Sequence, residues 1–300
     1  MSEQLTKSQI KKQIIEAAIK EYIGMSKFER SIAKTSAKYG INKKTLTRYL
    51  KERNVEIVAN KGAYPIDESV FEIIDTEEKA YWLGFLYADG YVAAGNNQVG
   101  LGLALRDIGH LEKYKAFIKW EGEIKIYKEH QFGSKDNHNK KGEEMYGCKI
   151  TITNEKIHND LIKLGCVPNK SLILQFPTEE QVPKEFQLAF IRGYFDGDGT
   201  LGLYKHSKKN SRLEESLLIV GTKPFLEKVQ EVLGPGYLMQ KKNCNENTYR
   251  LSYSTLKAFK AADMMYKNAN VYLDRKYNIY VNEYCLYRAK TVKTEMSTPC

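Results

Sequence analysis

"FIRGYFDGDGTL", residues 190–201, sets Asp196 and Asp198 one residue apart among Gly193, Gly197 and Gly199, at the end of an apolar run. A calcium loop, a helix-ending turn and a catalytic metal site can all look like this. A calcium-binding loop needs glycine at its sixth position and glutamate at its twelfth. Counted from Asp196 those positions hold Leu201 and Ser207, which removes that reading. A turn accounts for one such stretch but not for a second copy, and "AYWLGFLYADGYV", residues 80–92, is a second copy. Aligning 82–90 with 191–199 puts Gly84 opposite Gly193 at the third place, aromatic residues after them, Asp89 opposite Asp198 at the eighth, and Gly90 opposite Gly199 at the ninth.

The surroundings repeat as well. "QVGLGLAL" (98–105) and "ESLLIVGT" (215–222) alternate as strands do and precede the helical segments "HLEKYKAFI" (110–118) and "FLEKVQEVL" (225–233). Two more strand candidates follow each: "EIKIYK" (123–128) and "MYGCKITIT" (145–153), then "GYLMQKK" (236–242) and "TYRLSYS" (248–254). Helices "NEKIHNDLIKLG" and "TLKAFKAADMMYKN" close the copies. The pattern predicts an α+β body made of two αββαββα units, a duplicated domain rather than a solenoid of short repeats.

Two helices approach closely only where their contact residues are small, which suits Gly84 and Gly193, with Ala88 and Gly197 further along. Trp82, Leu83, Phe85, Leu86, Tyr194 and Phe195 are candidate core residues, and Gly90 and Gly199 candidate helix stops. Helices paired in this way bring Asp89 and Asp198 together. Two carboxylates so placed repel unless a cation or a proton intervenes, and hard oxygen ligands suit Mg²⁺.

These motifs resemble the LAGLIDADG homing endonucleases in their two-motif, single-chain form, over roughly residues 77–285. The resemblance implies one pseudo-symmetric molecule with motif helices side by side at its centre and two sheets forming a saddle over DNA. It implies that the eighth-place acids, Asp89 and Asp198, are catalytic and hold metal. Lys170 in "LGCVPNKSLILQFP" and Lys276 in "NANVYLDRKYNIY" resemble the basic position that approaches the active site in each half, with Arg275 beside Lys276 able to do the same work. Tyr87 departs from the pattern at the sixth place, where the second copy has Asp196. The activity implied is Mg²⁺-dependent, site-specific double-strand DNA cleavage, of a mobile element, intron or phage, with a long target and short 3′ overhangs. Non-cleaving transcriptional regulators that join LAGLIDADG and helix-turn-helix domains are the main alternative, and an RNA-splicing maturase is a third. An intein does not fit a chain that starts with Met and lacks a terminal His-Asn before a nucleophile.

The first sixty residues are different. They carry 13 Lys+Arg against 6 Asp+Glu, most of a formal net charge of +10. "SQIKKQIIEAAIKEYI" predicts a helix with Ile10, Ile14, Ala17 or Ala18, and Ile19 or Tyr22 on one side. "AKYGINKKTLTRYLK" predicts a helix, a turn at Gly40 and a second helix N-capped by Asn42, with Leu46 and Leu50 inward. It resembles the helix-turn-helix of pipsqueak-like and resolvase-like modules, so Lys43, Lys44, Thr45, Thr47 and Arg48 are candidate DNA contacts. A small helical bundle with a solvated basic face is the plain alternative. The domain reading is therefore 1–56 helix-turn-helix, 57–76 linker, 77–186 first half and 187–300 second half.

Alternation in the strands gives further candidate DNA contacts: Lys125, Lys149, Thr151, Arg250 and Ser252, opposite apolar residues such as Ile124, Ile126, Ile150 and Leu251. The partner is then double-stranded DNA, bound by a monomer. Five cysteines (Cys148, Cys166, Cys244, Cys285, Cys300) with no CxxC pair suit neither a disulfide framework nor a zinc site and fit a reducing cytosol. The histidines (His110, His130, His138, His158, His206) show no metal-ligand spacing. No apolar run reaches the roughly 18 residues of a membrane span, so the expected location is cytoplasmic, at the nucleoid of a prokaryotic or phage-infected host.

Overall fold

The computed structural model describes residues 6–25, 30–57, 64–128, 145–205, 213–242 and 244–289. His130, His138, His206 and Cys300 lie outside them. The chain forms two compact units, Met1–Ile66 and Asp67–Cys300.

The smaller unit holds helices α1 (Lys7–Gly24), α2 (Ile32–Lys38) and α3 (Lys43–Glu52). Thr6 and Gln9 form a capping box at the start of α1. Gly40, at φ +61°, makes the turn between α2 and α3, and the Asn42 side chain accepts from Lys44 N at the start of α3. Leu46 and Leu50 are buried against Ile15, Ala18, Ile19 and Tyr22 of α1. That corrects the expected face of α1. Ile10 and Ile14 are exposed, and the buried stripe is turned by one position onto Ile15. Both stripes fit helical spacing, and only the second meets the leucines of α3.

The larger unit begins earlier than the sequence suggests. Val70, Phe71 and Ile74 are buried, so residues 67–76 are part of its core rather than a linker. In the first half, α4 (Glu77–Ala88) leads into β1 (Gly90–Val92), β2 (Gln98–Ala104), α5 (Ile108–Phe117), β3 (Lys125–Lys128), β4 (Tyr146–Thr153) and α6 (Glu155–Lys163). The second half repeats this with α7 (Gln187–Asp198), β5 (Gly199–Lys205), β6 (Leu213–Gly221), α8 (Lys223–Leu233), β7 (Tyr237–Gln240), β8 (Tyr249–Ser254) and α9 (Thr255–Tyr266). It then adds α10 (Asp274–Ile279) and a wide π-helical turn over Tyr280–Cys285. Each half has one antiparallel sheet, of order β1-β2-β4-β3 in the first and β5-β6-β8-β7 in the second. The two orders are the same under the repeat, which is the expected α+β duplicated fold.

α4 starts at Thr76, whose hydroxyl accepts from Lys79 N, with Glu77 and Glu78 in the first turn where the helix dipole favours acid. Residues 80–87 are all buried, as an interior helix requires. In α7 residues 189–196 are buried too. Phe85, Phe190 and Phe195 are wholly covered, each contributing about 1.5–3 kcal/mol by burial. Gly199 is the C-cap of α7 and Gly90 follows Asp89, the C-cap of α4, so both stand where the motif helices end, as expected, though neither is left-handed. Each opens a strand, β1 or β5, that doubles back over the preceding turn. A Cβ on Gly90 would sit 2.7 Å from Leu86 O, and one on Gly199 would sit 2.1 Å from the Phe195 ring. Ile126, expected on an inner face, is exposed, since all four residues of β3 are. Among the described residues no helix is long and apolar enough to cross a membrane.

Candidate active site

α4 and α7 lie against each other through their glycines. A Cβ at Gly84 would fall 2.0 Å from Phe190 O, and one at Gly193 would fall 1.9 Å from Tyr81 O. The contact is backbone on backbone. One turn on, a Cβ at Gly197 would meet the Ala88 methyl at 2.3 Å and Asp89 Oδ2 at 3.3 Å. The Asp89 carboxylate therefore rests against the residue preceding Asp198. Asp89 is the C-cap of α4 and Asp198 the last residue of α7. Both reach solvent.

Electrostatics couple the pair. Surrounding protein, and after it the charge of Asp198 opposed by Lys276 and Lys170, raises the Asp89 carboxyl to about 6. Asp107 adds a smaller push in the same direction. Asp198 is also raised, by desolvation, with Lys276 and Lys170 pulling it down. Asp89 lines a cleft of about 470 Å³ with Tyr91, Asp107, Tyr127 and Lys149.

A raised carboxyl binds its proton more tightly in the folded chain than in the unfolded one. Between about pH 4 and pH 6 its ionisation therefore removes stability, and the loss is complete above pH 6. Asp89→Asn is expected to melt at a higher temperature than the wild type at pH 7.5, with the gap closing as the pH falls to about 4. Differential scanning calorimetry across that range reads the effect, and a gap that widens on acidification would contradict it.

Lys170 and Lys276 lie at the ends of the motif helices, and both are buried. Lys170 Nζ donates to Gly90 O. Lys276 Nζ donates to Phe195 O at 2.5 Å, Asp196 O at 2.8 Å and Gly199 O at 2.6 Å. Burial brings its ammonium down to about 8, so it remains charged at neutral pH. Arg275 pairs with Asp107 at 3.2 Å.

The sixth-place positions are structural. Asp196 is buried and accepts from Tyr81 Oη at 2.8 Å, Tyr266 Oη at 2.5 Å and Leu273 N at 2.8 Å. Tyr81 belongs to the other half, and its hydroxyl also meets His110 Nε2 at 3.0 Å. Tyr87, in the matching place, donates to Leu164 O at 2.5 Å within its own half. A second polar link across the seam joins Arg192 to Glu77 at 2.5 Å, with Asn270 Nδ2 donating to Glu77 at 2.9 Å. None of these partners carried a sequence signal, since each contact spans 70 residues or more or joins residue types that elsewhere sit in ordinary cores.

The candidate DNA contacts divide between the two units. In the smaller one Lys43, Lys44 and Arg48 are exposed on α3, while Thr45 and Thr47 are half-buried and Thr47 Oγ1 donates to Lys43 O at 2.8 Å. In the first sheet Lys125 stands beside Lys149 in register, and Thr151 sits one pleat away on the same side. The Lys149 ammonium lies 5.2 Å from the Tyr127 ring. In the second sheet Arg250 and Ser252 are half-buried, and Arg250 donates to Met239 Sδ at 3.0 Å. Among the described residues no three His, Cys, Asp or Glu side chains gather as a metal cage.

Fold and site define a duplicated α+β body whose two halves meet at paired glycine-packed helices ending in carboxylates. Residues 185–260 match the model of the LAGLIDADG-like domain. Similar solved structures include the meganuclease I-SmaMI bound to uncleaveable DNA, at 11% identity and TM-score 0.48 over 73% of this chain and 92% of that one. Two others are the I-LtrWI LAGLIDADG homing endonuclease bound to target DNA (14%, TM-score 0.40, 74% and 92%) and I-GzeII in complex with its DNA target (13%, TM-score 0.42, 73% and 92%). No curated protein matches the chain.

Proposed function

We propose that the protein is a site-specific DNA endonuclease that breaks both strands of its target, using Mg²⁺ held by Asp89 and Asp198. The observation that supports it is the meeting of two solvent-reaching carboxylates at the ends of helices packed glycine to backbone. Two carboxylates, with no third His, Cys, Asp or Glu gathered beside them among the described residues, suit a small hard cation that keeps waters and shares substrate phosphate oxygens. The bound ion would polarise the scissile phosphate and lower the pKa of an attacking water.

The chain's own part is placement. Asp89 and Asp198 are fixed at the end of a rigid helix pair, so each phosphodiester meets a preformed donor set. Lys125, Lys149, Thr151, Arg250 and Ser252 offer donors for base edges and phosphates. Lys43, Lys44, Thr45, Thr47 and Arg48 would bind DNA from the helix-turn-helix, and tethering the two modules raises affinity by effective concentration. Because one chain supplies both acids, the working unit is a monomer. Its origin is a mobile element, intron or phage, whose spread such a cut serves.

Selecting bound fragments from a genomic or randomised DNA library, then adding Mg²⁺ and mapping breaks at base resolution, tests the reading. The expected result is a double-strand break within the bound site that chelation by EDTA abolishes. Tight binding with no break would instead identify a regulator that has kept the fold.

A further inference from the structure

The two lysines occupy matching places, yet their surroundings differ. A lysine ammonium has three N–H groups. At Lys276 all three are spent on backbone carbonyls, those of Phe195 and Asp196 just before Asp198 and that of Gly199 just after it. The last carbonyls of a helix have no intrahelical partner, and a cation there is favoured by the dipole. The side chain is 3% exposed and its ammonium lies 4.8 Å from the Phe195 ring. Its own helix is fastened to the first half on both flanks, by Lys113–Asp274 at 2.6 Å and Arg275–Asp107 at 3.2 Å. Lys170 is held by Gly90 O alone among the described residues. It is itself only 7% exposed, but it lines an open cleft of about 410 Å³ with Ala88, Gly90, Tyr91 and Ser171.

We propose that the two lysines have different roles: Lys276 is a positioning residue that clamps the turn carrying Asp198, whereas Lys170 keeps N–H donors for a phosphate oxygen of the DNA beside Asp89. The second half of the statement rests on the endonuclease reading, and the first does not. It follows that the two strands are cut by unequal sites. One has a lysine able to touch substrate. The other has a carboxylate whose backbone is fixed from behind by a lysine that touches none.

The test uses the full chain with Lys170→Met and Lys276→Met. Thermal melting without DNA comes first. Lys276→Met takes the cation from three carbonyls, of which Phe195 O keeps the Gly199 N–H, and is expected to lower the melting temperature by roughly 5–10 °C, while Lys170→Met lowers it by no more than about 3 °C. If Lys276→Met yields no folded protein, Lys276→Gln, which restores some donors without charge, is expected to fold with an intermediate melting temperature. A Lys276→Gln variant that melts like the wild type would overturn the clamp, as would equal losses for the two methionine variants.

Cleavage of a duplex labelled on each strand comes second, at a temperature where both variants are folded. The strand served by Asp198 is the one that Asp198→Asn stops. On that strand Lys276→Met is expected to need several-fold more Mg²⁺ for half-maximal rate, with the other strand unchanged. Lys170→Met is expected to slow the Asp89 strand by about 10-fold or more at saturating Mg²⁺. Equal slowing of both strands by either variant overturns the division of roles. Failure of the wild type to cut at any Mg²⁺ concentration removes the endonuclease reading and the Lys170 assignment with it, while the melting comparison still decides the clamp.

Discussion

Gly193→Ala is expected to lower the melting temperature by roughly 10 °C, and Gly84→Ala by nearly as much. A methyl group added to Gly193 has nowhere to go. Its carbon would stand 1.9 Å from Tyr81 O and 2.9 Å from both Tyr81 C and Phe85 N. These are backbone atoms of a helix buried on all sides, so no side chain can swing away and the two helices must part. Parting loosens Phe85, Phe190 and Phe195 together, and overpacking of this kind costs about 1–3 kcal/mol or more per methylene. Gly109→Ala is the control. It lies inside α5 with nothing within 4 Å of the place a Cβ would take, so alanine there should raise stability by about 0.5–1 kcal/mol through helix propensity alone. Opposite signs from the same chemical change would locate the effect in the seam. If Gly193→Ala melted like the wild type, the close approach of α4 and α7 would be wrong.

That seam was the most legible feature of the sequence, because small residues at matching places in two copies of one segment have few other uses. The strands β4, β6 and β8 were legible from their alternation, since buried residues there alternate with less buried ones over much of their length, whereas in β2 Val99, Gly100 and Leu101 are buried in a row. β1 and β5 were not legible, since both begin on glycines that also read as helix stops. The stripe on α1 was missed because Ile10, Ile14, Ile15, Ile19 and Tyr22 support two overlapping helical faces, and only Leu46 and Leu50 on a later helix choose between them. At the site, Asp89 and Asp198 were found by pairing, but Asp196 could not be distinguished from a ligand until Tyr81, Tyr266 and Leu273 N were seen to occupy it. Likewise a lysine that reaches DNA and a lysine that binds three carbonyls have the same one-letter code and nearly the same distance along the chain from an aspartate. Long-range partners decide such cases, and periodicity does not contain them.

Asp198→Asn is the second large effect: cleavage of at least one strand is expected to fall by more than the about 100-fold that loss of an outer-shell metal partner costs, with DNA binding unchanged or tighter. The asparagine keeps the shape and one carbonyl oxygen, so the end of α7 and the β5 turn that Lys276 holds are undisturbed. What disappears is one negative charge. Desolvation already disfavours that charge, so removing it relieves strain at neutral pH and the folded chain does not weaken. It also stands where a DNA phosphate would approach, and its loss takes away a repulsion, which is why affinity holds or rises. On the endonuclease reading proposed above, only a step that needs the carboxylate itself, holding Mg²⁺ against a phosphodiester, would be lost. Gel-shift titration and strand-resolved cleavage on the same duplex separate the two quantities. Because Asp89 and Asp198 meet at one seam, Asp89→Asn should impair the other strand, and the double variant should bind DNA and cut neither. Ordinary double-strand cutting by Asp198→Asn would take the catalytic role away from the paired carboxylates, whatever else the protein does with DNA.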